Sequence, residues 1–194
     1  MVALPQMHSG IIIRCALPTK RKTLLLSREV GLHELCIIKN TVFMQGSLIA
    51  YTMREQRGTP LLSHAELLAV PERWVGDDIL FLHQVLELVM FFVPASSNPQ
   101  GLFGHMMLLF KELSINPTEW YKKIFLCRMF SLLGVYPDNA EEYDKLTLSL
   151  LSGPLEHMMQ AHQRLEQHTL NAWVQGCVNS HPRRHEFKTY CFES

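Results

Sequence analysis

The feature that most constrains the fold of this chain is a change of hydrophobic period near Pro71–Asp77. Before it, apolar residues come in short runs, some alternating with polar residues, as in β-strands. After it, apolar residues recur at helical spacing. A chain of 194 residues, 47% of them hydrophobic, buries a core without a disulfide framework or structural metal. The sequence therefore predicts an α+β protein, with one domain over residues 1–73 and a helical domain with a C-terminal tail over residues 74–194.

Five apolar runs before the boundary have the length of strands. They are Ile11–Leu17, Thr23–Leu26, Leu35–Ile38, Val42–Met53 and Leu61–Val70. Within the fourth run, Gly46-Ser47 predicts a bulge or kink. The segment Gln56–Pro60 predicts a turn before the fifth run. Such closely spaced strands fit a small five-stranded β-barrel, and the oligonucleotide/oligosaccharide-binding barrel (OB-fold) is the candidate.

The second part contains five predicted helices. They cover Asp78–Val93, Gln100–Leu113, Trp120–Leu133, Ala140–Leu151 and Leu155–Cys177. Asp77 or Asp78 is expected to cap the first helix, and Gly134 is expected to end the third. The run Ile79–Val93 is shorter than the roughly 20 apolar residues of a membrane span, so a buried core helix is expected there.

Charge is unevenly distributed along the chain, although 18 basic and 18 acidic residues cancel overall. Residues 1–60 hold eight basic and three acidic side chains. This excess predicts a surface that meets phosphates, whose contacts dominate sequence-independent affinity for DNA. A chance imbalance and a solvated basic turn are the alternatives. The candidate DNA-binding residues are Arg14, Lys20, Arg21, Lys22, Arg28, Lys39, Arg54 and Arg57.

Aromatic residues are scarce in the predicted barrel, where Phe43 and Tyr51 are the two present in residues 1–73. Barrels that bind single strands usually stack bases on aromatic side chains. Contacts to the DNA backbone are therefore expected here in preference to stacking.

The sequence carries no recognisable catalytic or metal-binding motif. A glycine-rich phosphate loop, G-x-S-x-G and H-E-x-x-H are all missing. The ten histidines are dispersed, and the five cysteines form no C-x-x-C pair. We therefore expect a non-enzymatic protein without cofactor or zinc. An odd number of scattered cysteines predicts free thiols in a reducing cytosol, and Met1–Gly10 lacks the basic residue of a signal peptide.

Four stretches of the chain resemble, in order, the bacterial recombination mediator family RecO. They are Gly10–Arg14, Leu24–Gly31, Phe125–Pro137 (FLCRMFSLLGVYP) and Phe187–Phe192. The resemblance implies an OB barrel followed by an all-helical domain. It also implies binding of single- and double-stranded DNA, strand annealing, and loading of recombinase onto DNA coated with single-strand-binding protein. The implied partners are that protein and RecR, in a nucleoid-associated cytoplasmic setting and without a membrane.

The chain departs from the family pattern at three places. Pro18–Lys22 stands where the family has an acidic turn, and Ile38–Thr41 offers one cation where the family has a glycine- and arginine-rich loop. No cysteine lies between Cys127 and Cys177, where many members carry a four-cysteine zinc site. These departures predict reduced DNA affinity and no zinc lobe. A protein-interaction adaptor that keeps the fold without DNA binding is the alternative function.

The third predicted helix is the candidate docking site for a partner. An acidic tail with an apolar end needs an apolar floor and a basic rim. Trp120, Tyr121 and Phe125 are candidates for the floor, and Lys122, Lys123 and Arg128 for the rim. Helical spacing places positions 121, 125 and 128 on one face. The alternative is that the aromatic residues belong to the core and the cations are solvated.

Overall fold

The computed structural model describes residues 6–15, 22–37, 43–111, 119–137 and 167–189. Contacts divide the chain into two compact units, Met1–Lys111 and Glu112–Ser194. The change from strand to helix falls between Ala69 and Glu72. The first unit therefore contains the strands together with the helices that directly follow them.

A closed five-stranded barrel forms the first part of the chain. Its strands are β1 (Met7–Arg14), β2 (Lys22–Ser27), β3 (Gly31–Ile37), β4 (Leu48–Gln56) and β5 (Thr59–Ala69). They follow one another around the barrel in the order β1-β2-β3-β5-β4, and β1 pairs with β4. With helices after the barrel, the α+β architecture and the five-stranded barrel predicted from the sequence are confirmed.

Period-two alternation decides which side chains fill the barrel. Its core cluster consists of Ile12, Leu25, Leu35, Ile49, Tyr51 and Leu62. All neighbouring strands pair antiparallel except β3 and β5, which pair in parallel through Cys36 with Leu61 and Ile37 with Leu62. This short parallel ladder closes the barrel.

The predicted bulge at Gly46-Ser47 is instead a turn that precedes β4. The strand begins at Leu48 rather than Val42. The Gly46 N–H donates to the carbonyl of Ile12 at 2.7 Å, and the Ile12 N–H donates to the carbonyl of Ser47 at 2.9 Å. The register of β1 against β2 shifts just after this point, between Ile12 and Arg14. The irregularity therefore arises because β1, which is distant in sequence, hydrogen-bonds to this turn.

Helices complete the first unit. They are α1 (Glu72–Asp77), α2 (Ile79–Phe92) and α3 (Leu102–Met106), the last continued by a 3-10 turn over Met107–Phe110. Asp78 caps α2 as predicted, because its Oδ1 accepts from the Phe81 N–H at 3.0 Å. The helix predicted over Gln100–Leu113 was too long, since α3 tightens into the 3-10 turn after Met106.

The second unit contains α4 (Glu119–Leu132), α5 (Gln167–Asn179) and a 3-10 turn at Arg184–Glu186. The end of α4 agrees with the prediction. Gly134 has a φ of +68°, its N–H bonds to Ser131, and the Val135 N–H reaches back to Phe130. The helix predicted over Ala140–Leu151 and the first part of the one predicted from Leu155 lie outside the described residues.

A buried hydrogen-bond chain fills one end of the barrel interior. The Tyr51 hydroxyl lies 3.1 Å from Nε2 of His33, whose Nδ1 lies 2.9 Å from the Gly31 carbonyl. Because a carbonyl only accepts, His33 Nδ1 carries the hydrogen and Nε2 accepts from Tyr51. Burial lowers the pKa of His33 and raises the pKa of Tyr51 to about 12. Both groups are therefore held neutral.

Packing of α5 supports a first prediction, for the substitution Gly176→Ala. A Cβ at Gly176 would lie 2.7 Å from the Cβ of Pro137, which belongs to a rigid ring. We expect the substitution to lower stability by about 1–3 kcal/mol, because the backbone must shift. Thermal unfolding followed by circular dichroism measures this.

The matched control is Gly76→Ala in α1, where an added Cβ meets no atom within 4 Å. Alanine is favoured over glycine in helices by about 1 kcal/mol, so this variant should unfold at the same or a higher temperature. Equal melting temperatures for the two variants would contradict the packing of Gly176 on Pro137.

The buried histidine supports a second prediction, on pH. Below pH 6.5 the unfolded chain binds a proton that the folded His33 resists, so stability falls as pH decreases from 6.5 through the lowered folded pKa. In His33→Gln the amide oxygen accepts from Tyr51 but does not titrate. We expect a shallower loss of stability between about pH 7.5 and 5.5 in that variant, measured by urea unfolding. Equal pH dependence in both proteins would be inconsistent with a neutral buried His33.

Candidate nucleic-acid interface

Five of the eight candidate cations lie on described parts of the barrel, and all five are exposed. They are Arg14, Lys22, Arg28, Arg54 and Arg57. Lys20, Arg21 and Lys39 lie outside the described residues. The structure therefore places part of the predicted surface, with Lys22 as the first residue of β2, and leaves Lys20, Arg21 and Lys39 untested.

Strand pairing aligns Lys22 with Arg54 across the barrel. Lys22 pairs with Cys36, Cys36 with Leu61, and Leu61 with Arg54, which makes one row over β2, β3, β5 and β4. Directly paired residues point to the same face of a sheet, and strands lie about 4.8 Å apart, so the two cations are about 14 Å apart along this row. This row, Lys22–Cys36–Leu61–Arg54, is called the cation row below.

Arg57 extends the same rim at the turn between β4 and β5. Arg57 and Gly58 both have positive φ, 51° and 75°, as a two-residue hairpin turn requires. The turn follows Gln56, two positions after Arg54. The Arg57 side chain is thus presented at the tip of the hairpin loop.

Glu34 on β3 holds two of the candidate cations. Its Oε1 accepts from Arg14 Nη2 at 2.8 Å, and its Oε2 accepts from Lys22 Nζ at 3.4 Å. The register explains this meeting, because Leu24 pairs with both Arg14 and Glu34 on the outer face. Together, Arg14, Lys22 and Glu34 therefore carry a net charge of +1.

The sequence analysis did not single out Glu34. Alternation along β3 is the signal that points to it, since His33 and Leu35 face the core and the residue between them must face outward. Its partners come from β1 and β2, so the ion pairs follow from register and not from any local motif.

Arg28 lies apart from the cation row. It belongs to the turn between β2 and β3, at the other end of β2 from Lys22. Its backbone carbonyl accepts from Asn98 Nδ2 at 3.1 Å. The five described candidate cations thus divide between two ends of the barrel.

The two aromatic residues of the barrel face inward. Tyr51 is fully buried, and Phe43 packs against the core cluster. A base stacked on the outer barrel surface would find neither ring. This placement agrees with the expectation that any DNA contact at the cation row is made to the backbone.

The predicted docking helix is α4, and its aromatic residues are largely buried. Tyr121 is 4% exposed and Phe125 is fully buried, with ring centroids 6.4 Å apart. Phe125 offers no surface to a partner here, and Trp120 is partly buried.

The cations of the same helix are also partly buried. Lys122 pairs with Glu119 one turn earlier, and Lys123 and Arg128 are half-buried. Burial lowers the pKa of Arg128. Docking of an acidic tail at α4 stays a prediction.

Burial determines the state of two of the four described thiols, those of Cys127 and Cys177. Burial raises the pKa of Cys127 well above its ordinary value and that of Cys177 to about 12. Both thiols are thus held protonated, whereas a metal ligand or nucleophile is the thiolate. Among the described residues no three His, Cys, Asp or Glu side chains form a group that could hold a metal ion.

Comparison with known proteins assigns no family. No protein-family profile matches the sequence, and no curated protein matches it. Within the described residues, no helix combines the length and the apolar character that crossing a membrane would require. The function proposed below therefore rests on the barrel, its charges and the sequence resemblance.

Proposed function

We propose that this protein binds DNA through its barrel and acts as a non-enzymatic recombination mediator in DNA repair. In this role it would anneal strands and, with RecR, load recombinase onto DNA coated with single-strand-binding protein. The proposal takes its partners from the sequence resemblance. The single structural observation that supports it is the alignment of Lys22 and Arg54 on the outer face of a closed OB-like barrel.

Binding at this surface would be mainly electrostatic and independent of sequence. The cation row presents an ammonium and a guanidinium with partly exposed Cys36 and Leu61 between them. Arg57 adds a third cation at the adjoining turn. Such groups meet phosphates and release condensed counterions, which makes affinity depend steeply on salt.

The adaptor function is the second candidate, and Glu34 favours it. A carboxylate that engages Arg14 and Lys22 lowers the positive potential at the place where a phosphate would bind. An adaptor that has lost DNA binding would show no salt-dependent affinity for DNA at all. A measurement of DNA affinity over a range of salt concentrations therefore distinguishes the two functions.

The double variant Lys22→Ala/Arg54→Ala tests the DNA-binding proposal. Each phosphate contact to single-stranded DNA contributes a slope of about 0.7 in log affinity against log salt. Losing two contacts should flatten the slope by about 1.4 and lower affinity roughly 20-fold near 0.1 M salt. Fluorescence anisotropy of a labelled oligonucleotide over a salt series measures both quantities.

The matched control is Lys111→Ala/Arg184→Ala, which removes the same charge from two exposed positions off the candidate surface. It should keep the wild-type slope. Equal slopes for wild type and the barrel variant would place the DNA site elsewhere, and no measurable DNA binding by the wild type at low salt would support the adaptor.

Glu34→Gln tests whether the carboxylate restrains the surface. Removing one negative charge about 6 Å from a bound phosphate lowers repulsion by about 0.7 kcal/mol in water, or roughly three-fold in affinity. We expect tighter DNA binding by that factor at low salt and no gain at high salt. The control Glu72→Gln removes an equal charge from α1 and should leave affinity unchanged. Weaker binding by Glu34→Gln would mean that Glu34 positions the cations instead of masking them.

A further inference from the structure

A cavity of about 610 Å³ lies beside the turn between β2 and β3, within the size range of roughly 300–1,000 Å³ found for ligand pockets. The described residues that line it come from that turn and from the segment that leads into α3 and its 3-10 turn. Among them are Arg28, Asn98, Gln100, Phe103 and Met107. All of these belong to the first unit. This cavity is called the turn pocket below.

Backbone hydrogen bonds hold the walls of the turn pocket together. The Leu32 N–H donates to the carbonyl of Ser97 at 2.9 Å, and the Ser96 N–H donates to the carbonyl of Leu32 at 2.7 Å. Asn98 Nδ2 donates to the carbonyl of Arg28 at 3.1 Å. The segment before α3 is thus tied to β3 and to the β2–β3 turn on both sides. The pocket is formed before any ligand arrives.

The chemistry of the lining combines one cation with a flat apolar wall. Arg28 is the one charged side chain among the described lining residues, and it is exposed. Phe103 and Met107 lie about one helical turn apart and are partly exposed. Gln100 adds a side-chain amide. The complementary ligand carries an anionic group, a flat ring and hydrogen-bonding edges.

We infer that the turn pocket binds a single nucleotide of DNA, with a phosphate on the Arg28 guanidinium and the base against the Phe103 ring. A guanidinium donates in a fork that matches phosphate oxygens, and every base has a face that stacks on an aromatic ring. A glutamine amide, such as that of Gln100, matches the edge of adenine. This inference rests on the proposed function, because it gives the barrel a base-contacting site besides the cation row.

A nucleotide fits the surroundings better than a peptide carboxylate does. β2 carries Lys22 at one end and leads to Arg28 at the other, a separation of about 20 Å along the strand. OB barrels cover about 4–16 nucleotides of a single strand. One strand that meets the cation row is therefore long enough to reach the turn pocket, and such a strand would be held at both places.

The test uses small probes and the full chain. Deoxyadenosine 5′-monophosphate, deoxyadenosine, deoxyribose 5-phosphate and N-acetyl-phenylalanine are titrated separately, and backbone amide chemical shifts are followed by NMR. We expect the mononucleotide to shift the amides of Gly101 and Gly104, which line the pocket, and to bind more tightly than either of its halves. Tighter binding of N-acetyl-phenylalanine than of the mononucleotide would overturn the inference in favour of a peptide carboxylate. Shifts that miss Gly101 and Gly104 would overturn it as well.

Two variants separate the phosphate contact from the ring contact. Arg28→Gln should abolish the advantage of the mononucleotide over deoxyadenosine. Phe103→Leu keeps the apolar volume and should weaken binding of deoxyadenosine and of an oligonucleotide by about five-fold or more, because a stacked base is lost. The control Arg184→Gln removes an exposed arginine from the second unit. It should leave the affinities for the mononucleotide, deoxyadenosine and the oligonucleotide unchanged. Wild-type affinities in both pocket variants, with native circular dichroism spectra, would refute the site.

The oligonucleotide arm separates this inference from the proposed function. An oligonucleotide that binds the cation row without shifting Gly101 or Gly104 refutes the turn pocket and leaves DNA binding intact. A mononucleotide that shifts those amides while no oligonucleotide binds refutes the mediator proposal and identifies the pocket as a site for free nucleotides.

Discussion

Closure of the barrel through the parallel ladder between β3 and β5 is the interaction on which the candidate surface depends. The ladder consists of Cys36 with Leu61 and Ile37 with Leu62. Without it, the strands would form an open sheet joined through β1, with β3 and β5 as exposed edges that are prone to pair with other chains. The row that links Lys22 to Arg54 would then be broken between Cys36 and Leu61. The cation row therefore arises from backbone pairing between strands that are distant in sequence, and not from a local motif.

The strength of that surface is set by a balance of small electrostatic terms. An exposed ion pair contributes about 0–1 kcal/mol, so Glu34 holds Arg14 and Lys22 weakly. A phosphate that carries a full negative charge competes with the carboxylate for the same two donors, and the salt released from DNA adds to its advantage. Glu34 therefore attenuates the attraction without removing it. The ion pairs of Glu34 are therefore compatible with the proposed DNA binding.

The sequence predicted correctly those features that depend on interactions between residues close together in the chain. Asp78 caps α2 because its own oxygen reaches an amide three residues ahead, and Gly134 ends α4 because its left-handed φ suits glycine. It did not predict features that depend on contacts between residues far apart in the chain. The Gly46 turn is fixed by Ile12, and the ion pairs of Glu34 need the registers of β1 and β2. Charge along a sequence also does not reveal that Arg28 lies at the opposite end of β2 from Lys22.

The two ends of β2 differ in the part of a nucleic acid that could bind there. The cation row is a sheet surface without an exposed aromatic ring, so under the proposed function it would accept phosphates of any strand. The turn pocket is lined by one cation and one aromatic ring, so it would accept a base only when that base has left its stack. In a duplex, unstacking and unpairing a base costs a few kcal/mol, whereas a single strand offers unpaired bases at little cost. A barrel that uses both features therefore discriminates in favour of single strands and ends, even though its phosphate contacts do not distinguish strand number.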